Sequence, residues 1–143
     1  MSSIRILLVD DEADFVQTLA ERLELRGFDI RIANDGDGAF SHMESRLPDL
    51  VVLDVMMPGI GGLDVLQQIR RSFPEVQVIL LTGRGSTHDG IKGMRLGAFD
   101  YLMKPCDMDQ LIGKVNEATR KKQGHEEKIR EAHVKEILSK RGY

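Results

Sequence analysis

The sequence predicts a single α/β domain with a parallel sheet covered by helices on both faces. Three observations carry that prediction. Apolar runs at 4–9, 50–53 and 76–81 are too continuous for half-exposed strands and read as strands buried on both faces. Stretches with 3.6-residue periodicity lie between successive strands and are long enough for crossover helices. A chain of 143 residues, 41% hydrophobic and 30% charged, can build one good core.

Each element follows in order. Ile4 to Val9 is an apolar strand ending at Asp10-Asp11. A helix runs on through Arg26, with Phe15, Val16, Leu19 and Leu23 on its inner stripe and Gly27 as its stop. Phe28, Ile30 and Ile32 alternate with polar residues, which predicts a half-exposed second strand. Residues 34–38, Asn-Asp-Gly-Asp-Gly, are turn chemistry, and a short helix through Ala39, Phe40 and Met43 follows. The third strand, Leu50 to Leu53, ends on Asp54, and a Gly-rich loop containing Pro58 and Gly59 comes next. Leu63, Leu66 and Ile69 mark a helix that Phe73-Pro74 ends, and Val76 to Leu81 is a fourth strand closing on Thr82-Gly83. A weak helix covers 88–96, where Gly90 and Gly93 each cost on the order of 1 kcal/mol relative to alanine. Phe99 to Met103 is the fifth strand, before Lys104-Pro105 and a helix carrying Leu111, Ile112, Val115 and Ala118.

The expected division is a body over 1–121 and a charged helical tail or linker over 122–143. Gly124 is expected to interrupt, with a helix of roughly 15 residues after it. Its stripe of Ile129, Ala132, Val134, Ile137 and Leu138 is imperfect and shorter than a coiled coil needs.

Composition narrows the function. The net charge of −3 divides into 12 basic and 19 acidic residues over 1–119, and 8 basic and 4 acidic over 120–143. An acidic body is not built to hold nucleic acid by bulk charge, and the basic tail reads as a solvated helix face. No run approaches a membrane span and no signal peptide is read, so a cytoplasmic location is expected. Cys106 is the single cysteine, which excludes an internal disulfide, and the scattered His42, His88, His125 and His133 do not resemble a zinc site.

In parallel sheets the functional crevice lies beyond the carboxyl ends of the strands. Those ends carry Asp10 and Asp11, Asp54, Thr82 and Lys104. Three carboxylates gathered there repel, each pair by about 4 kcal/mol at about 4 Å in a dielectric near 20. Lys104 offsets one charge, and a divalent cation offsets the remainder. Magnesium suits hard oxygen ligands and phosphate oxygens, so the pattern points to a metal site that phosphoryl chemistry would complete.

The blocks "LLVDDE", "VVLDVMMPGIGG", "ILLTG" and "YLMKP", in this order, closely resemble the receiver domain of bacterial two-component response regulators over about residues 4–121. The resemblance implies a flavodoxin-like (βα)5 three-layer sandwich, strand order 2-1-3-4-5, with a C-terminal helical extension. It implies that Asp54 is the phosphoacceptor, taking a phosphoryl group from a sensor histidine kinase or a histidine phosphotransfer protein. It assigns Mg2+, with Mn2+ as an alternative, to Asp11, Asp54 and the backbone carbonyl of Met56, with Asp10 acting through water. Lys104 and Thr82 would hold phosphoryl oxygens, Thr82 and Tyr101 would form the switch, and Lys104-Pro105 would be a cis peptide. Met56 and Arg84 occupy the positions that modulate dephosphorylation, and neither is a water-positioning carboxylate or amide. The expected protein is a phosphorylation-dependent switch, catalysing its own phosphorylation and dephosphorylation but not a turnover enzyme. Its fourth helix, fifth strand and fifth helix would control an unidentified downstream protein, with no direct nucleic-acid or membrane binding. That surface leaves room for a phosphorylation-dependent homodimer.

Taken singly, these residues have plainer uses. Asp10 or Asp11 can cap the first helix, Tyr101 can be core, Met56 and Met57 filler, and Cys106 a small hydrophobe. Cys106 stands where the family often has phenylalanine, and Gly61 where it often has a polar residue. An aspartyl-nucleophile phosphatase needs a second Asp two residues beyond the first, and Met56 is there instead. The alternative output is that of a longer regulator with a DNA-binding or enzymatic domain beyond the receiver, against a single-domain regulator or phosphorelay intermediate.

Overall fold

The computed structural model describes residues 3–57, 59–83 and 86–140, with the side chains of 121–129, 139 and 140 excepted. Ten elements alternate: β1 (Arg5–Val9), α1 (Ala13–Leu25), β2 (Asp29–Ala33), α2 (Gly36–Ser45), β3 (Leu50–Asp54), α3 (Gly62–Ser72), β4 (Gln77–Thr82), α4 (Thr87–Arg95), β5 (Asp100–Met103) and α5 (Met108–Lys140). The strands form one parallel sheet in the order β2-β1-β3-β4-β5, as the resemblance implies. The chain winds one way from β1 to β2 and the other way from β3 onward. The direction therefore reverses between β1 and β3, and the crevice of such a sheet opens there.

Two apolar layers flank the sheet. Val51, Leu53, Val78 and Leu80 face Ala39 and Met43 of α2 and Val65, Leu66 and Ile69 of α3. Ile6, Leu8, Leu50, Val52, Ile79 and Leu81 face Val16, Leu19 and Leu23 of α1 and Leu111, Ile112, Val115 and Ala118 of α5. Alternate residues of one strand thus serve opposite layers, which is why the central runs are apolar throughout. Each of the Val, Leu, Ile and Met side chains among these contributes about 2 kcal/mol of transfer free energy when fully buried.

Three local expectations change. The turn at 34–38 is also a helix start: Asp35 Oδ1 accepts the Gly38 N–H at 2.7 Å, so α2 begins at Gly36. In α4 the glycines are sites of close approach rather than softness. An added Cβ would lie 2.4 Å from the Tyr101 ring at Gly90 and 2.0 Å from Leu80 Cδ1 at Gly93. Their absence of side chain lets α4 settle on β4 and β5. Finally, Gly124 does not interrupt: α5 runs unbroken from Met108 to Lys140. One glycine costs about 1 kcal/mol inside a helix, whereas ending and renucleating the helix forfeits several hydrogen bonds. The side chains of 130–138 are all exposed.

Candidate functional site

The register of β1 on β3 pairs Leu8 with Val52 and Val9 with Leu53. Side chains alternate with period 2, so Asp10 follows Ile6 and Leu8, and Asp54 follows Leu50 and Val52, onto the face covered by α1 and α5. The two aspartates end adjacent strands at the reversal point, and each is only 2% exposed. Lys104 follows β5 directly and precedes a cis Lys104–Pro105 peptide, and its backbone N–H donates to the Thr82 carbonyl at 2.7 Å. Its ammonium donates to Asp10 Oδ2 at 2.7 Å, Glu12 Oε1 at 3.1 Å and Asp54 Oδ2 at 3.4 Å. The second oxygens are also held. Asp10 Oδ1 accepts the Glu12 N–H at 2.8 Å, and Asp54 Oδ1 accepts the Met56 N–H at 3.0 Å. Among the described residues no buried side-chain polar atom lacks a partner.

Burial pushes the Asp54 carboxyl up to about 6, and the charge of Asp10 adds to the rise. The Met56 N–H and the Lys104 ammonium oppose it without cancelling it. Burial works against the charge on Lys104, but hydrogen bonds to Asp10 and Glu12 and the charges of Asp10 and Asp54 raise its pKa. Burial raises the Cys106 thiol more than nearby Lys104 lowers it, so Cys106 is no thiolate nucleophile. A cleft of about 450 Å³ opens over Asp54 and is lined by Glu12, Phe15, Met56, Gly83, Lys104, Pro105 and Cys106.

The structure gathers Asp10, Asp54 and Lys104 as expected and adds two residues. Glu12 joins the cluster: oxygens of Asp10, Glu12 and Asp54 lie within 4.8 Å of one another, a hard-oxygen donor set that fits a magnesium-type ion. Phe15 places its ring 4.6 Å from the Lys104 ammonium. A third acid after Asp10-Asp11, with an aromatic three residues on, is the sequence signal for the pair. Asp11 is exposed and lies outside that cluster. The cap of α1 is Glu12, without a side-chain cap bond, so neither Asp10 nor Asp11 serves as the cap. Met56 is 64% exposed at the cleft while Met57 is buried, so only Met57 is filler. Pro58 and Arg84 lie outside the described residues.

Thr82 and Tyr101 approach from the other layer. Thr82 shares strand parity with Leu80, and Leu80 pairs with Tyr101 in the β4–β5 register. Thr82 is wholly buried, and its hydroxyl donates to the Leu102 carbonyl at 3.5 Å, the far limit of such a bond. The Tyr101 ring rests on Gly90. Gly62, which the motif places before the third helix, also has a reason: a Cβ there would stand 2.6 Å from the Asp54 carbonyl.

A family model described as "Response regulator receiver domain" matches residues 6–116. The chain belongs to this family. The receiver is 36% identical over 117 residues to the transcriptional regulatory protein DltR of Streptococcus agalactiae, covering 82% of this chain and 52% of the relative. It is 40% identical over 117 residues to the transcriptional regulatory protein CpxR of Escherichia coli K12, covering 82% and 50%. A solved receiver domain of Francisella response regulator 1452 superimposes with a TM-score of 0.77 at 32% identity, over 83% of this chain and 98% of that one. The chain spans about half the length of the curated relatives it matches. Receivers are signalling domains of two-component systems rather than turnover enzymes, bind Mg2+ at an acidic pocket and interact with histidine kinases. Among the described residues no helix is long and apolar enough to cross a membrane.

Proposed function

We propose that Asp54 is the phosphoacceptor of a cytoplasmic switch, charged by a sensor histidine kinase or a histidine phosphotransfer protein. The observation that carries this reading is one ammonium shared between two buried carboxylates under an open cleft. A carboxylate oxygen of Asp54 forms the new bond to phosphorus while the donor's P–N bond breaks. The imidazole leaves with that bond's electron pair and takes up a proton. Lys104 exchanges its bond to Asp54 for a phosphoryl oxygen, and the Thr82 hydroxyl gives up its long bond to Leu102 for another. Asp54 and the Met56 carbonyl would hold Mg2+ or Mn2+, with Asp11 turned in from its exposed position and Asp10 acting through water, while Glu12 stays on Lys104. The ion would neutralise charge on the transferring phosphoryl group. Movement of Thr82 frees Tyr101 to repack against α4, altering the α4-β5-α5 face that a downstream protein, or a second phosphorylated copy, would read. Met56 and Arg84 would set the phosphoryl lifetime.

Intact mass after incubation with a small phosphodonor tests the reading. Wild type should gain one phosphoryl group only with Mg2+, and Asp54→Ala should gain none. No gain in wild type, where another receiver is labelled and a phosphohistidine donor has also been tried, ends the proposal.

A second reading is favoured by the relatives, which are named transcriptional regulatory proteins and are about twice the matched length. On it, residues 1–121 are the receiver of a longer DNA-binding regulator and 122–143 lead toward the output domain. The reading frame beyond Tyr143 separates this from a single-domain regulator or relay intermediate that docks protein alone and does not bind DNA.

A further inference from the structure

Lys104 is held from outside the sheet as well as from within it. Glu12 and Phe15 lie three residues apart across the start of α1, and both reach the same ammonium: the Glu12 carboxylate at 3.1 Å and the Phe15 ring at 4.6 Å. Neither sits on a strand end. Lys104 has three N–H donors, and Asp10, Glu12 and Asp54 take all three. A phosphoryl oxygen can gain one only by displacing a carboxylate. The three acceptors differ in how readily they yield. Asp10 is buried and makes the shortest bond, whereas the Glu12 side chain is 61% exposed and free to turn into solvent. Phe15 is partly buried against the α1/α5 layer, so its ring is a fixed wall for the cation.

We propose that Glu12 and Phe15 are positioning residues for phosphoryl transfer, Phe15 aiming the Lys104 ammonium at Asp54 and Glu12 occupying it until the incoming phosphoryl oxygen takes its place. The proposal rests on Asp54 being the phosphoacceptor. Glu12 therefore restrains the reaction and Phe15 favours it, and the two substitutions should move the rate in opposite directions. Glu12 also adds a negative charge near the entering dianion, which acts in the same sense as the competition for Lys104.

The test uses the full chain at saturating Mg2+, following phosphoryl uptake by intact mass against phosphodonor concentration. Glu12→Gln should raise uptake at low donor by about threefold, through a lower half-saturating concentration, as befits an exposed ion pair. That gain should shrink as ionic strength rises toward about 1 M. Phe15→Leu should lower uptake about threefold or more by loss of the ring face, and Phe15→Tyr should restore it. Independently of activity, the ε-methylene protons of Lys104 should carry an upfield ring-current shift that Phe15→Leu removes and Phe15→Tyr restores. Labelled wild type with Glu12→Gln and Phe15→Leu unchanged in rate, salt response and shift overturns the proposal and leaves the phosphoacceptor reading standing. Failure of wild type to label at all overturns that reading instead, while the ring-current arm still reports whether Phe15 holds Lys104.

Discussion

The two halves of the sheet's carboxyl edge are held in different ways. At β1 and β3 the side chains are fixed by charge: the Lys104 ammonium pairs with Asp10 at 2.7 Å and Asp54 at 3.4 Å, and each aspartate's second oxygen accepts a backbone N–H. At β4, α4 and β5 they are fixed by shape: one hydroxyl on a 3.5 Å bond, and a tyrosine ring lying on a glycine. Charge fixes a geometry in advance, at a cost in stability, and needs no reorganisation when the reaction comes. Packing held by a single weak polar bond can settle in a second arrangement when that bond is redirected. The first half is suited to receive a phosphoryl group, and the second is suited to report it.

Removing the cation should break the first half most severely. Lys104→Ala leaves Asp10 and Asp54 facing each other without compensation, and phosphoryl uptake should fall by about a hundredfold. Initial rates by intact mass check this, with circular dichroism to confirm the fold.

Asp54→Asn probes the same half through stability. The Asp54 carboxyl ordinarily titrates at 3.8 and in the fold is pushed up to about 6 by burial. Below pH 3.8 it is protonated in folded and unfolded chains alike and has no effect on stability. As pH rises to about 6 the unfolded chain ionises first, so stability drains away across that window and stays low above it. An asparagine never ionises. The metal-free variant should therefore exceed wild type by on the order of 2 kcal/mol at pH 7, with the gain vanishing only well below pH 3.8. Urea melts across that range read it, and a gain independent of pH would contradict the burial account.

The second half should respond to shape alone. Gly90→Ala drives a Cβ into the Tyr101 ring and should cost about 1 to 2 kcal/mol. Tyr101→Ala in the same chain should recover most of that cost, which a double-mutant cycle measures. Phosphoryl uptake by Gly90→Ala should stay within about twofold of wild type, because no charged group of the site is displaced. A tenfold loss would show that the two halves are not separately held.

The smallest effect is expected farthest from both. The side chains of 130–138 are exposed, so replacing them by alanine should change stability by less than about 0.5 kcal/mol. A larger loss would mean that the end of α5 braces the body.

Much of this is legible in the sequence itself. The unbroken apolar run at Leu50–Leu53 marked a central strand because both its faces are covered, and an aspartate directly after such a run can only stand at an edge. Less readable was anything that depends on which neighbours meet. Glu12 and Phe15 are, in one dimension, an acid at a helix start and one more apolar residue of a stripe. They become part of the site only because Lys104, some ninety residues later, comes down beside α1. Gly90 and Gly93 read as weaknesses because propensity counts only the helix they sit in, whereas the gain lies in the Tyr101 and Leu80 side chains they admit. Gly124 departs from the pattern for a related reason: a local cost of about 1 kcal/mol is not enough to stop a helix already under way.

Periodicity and the placement of polar groups at the ends of apolar runs are enough to specify the layers and the central carboxylates, since both follow from burying the three central strands. The resemblance supplied the strand order, which local pattern alone does not encode. Which acid sits beside the ammonium, Glu12 rather than Asp11, was decided by the fold. That choice depends on how α1 turns away from β1, and so on the packing of Val16, Leu19 and Leu23 against the sheet, a long-range property no stretch of sequence carries.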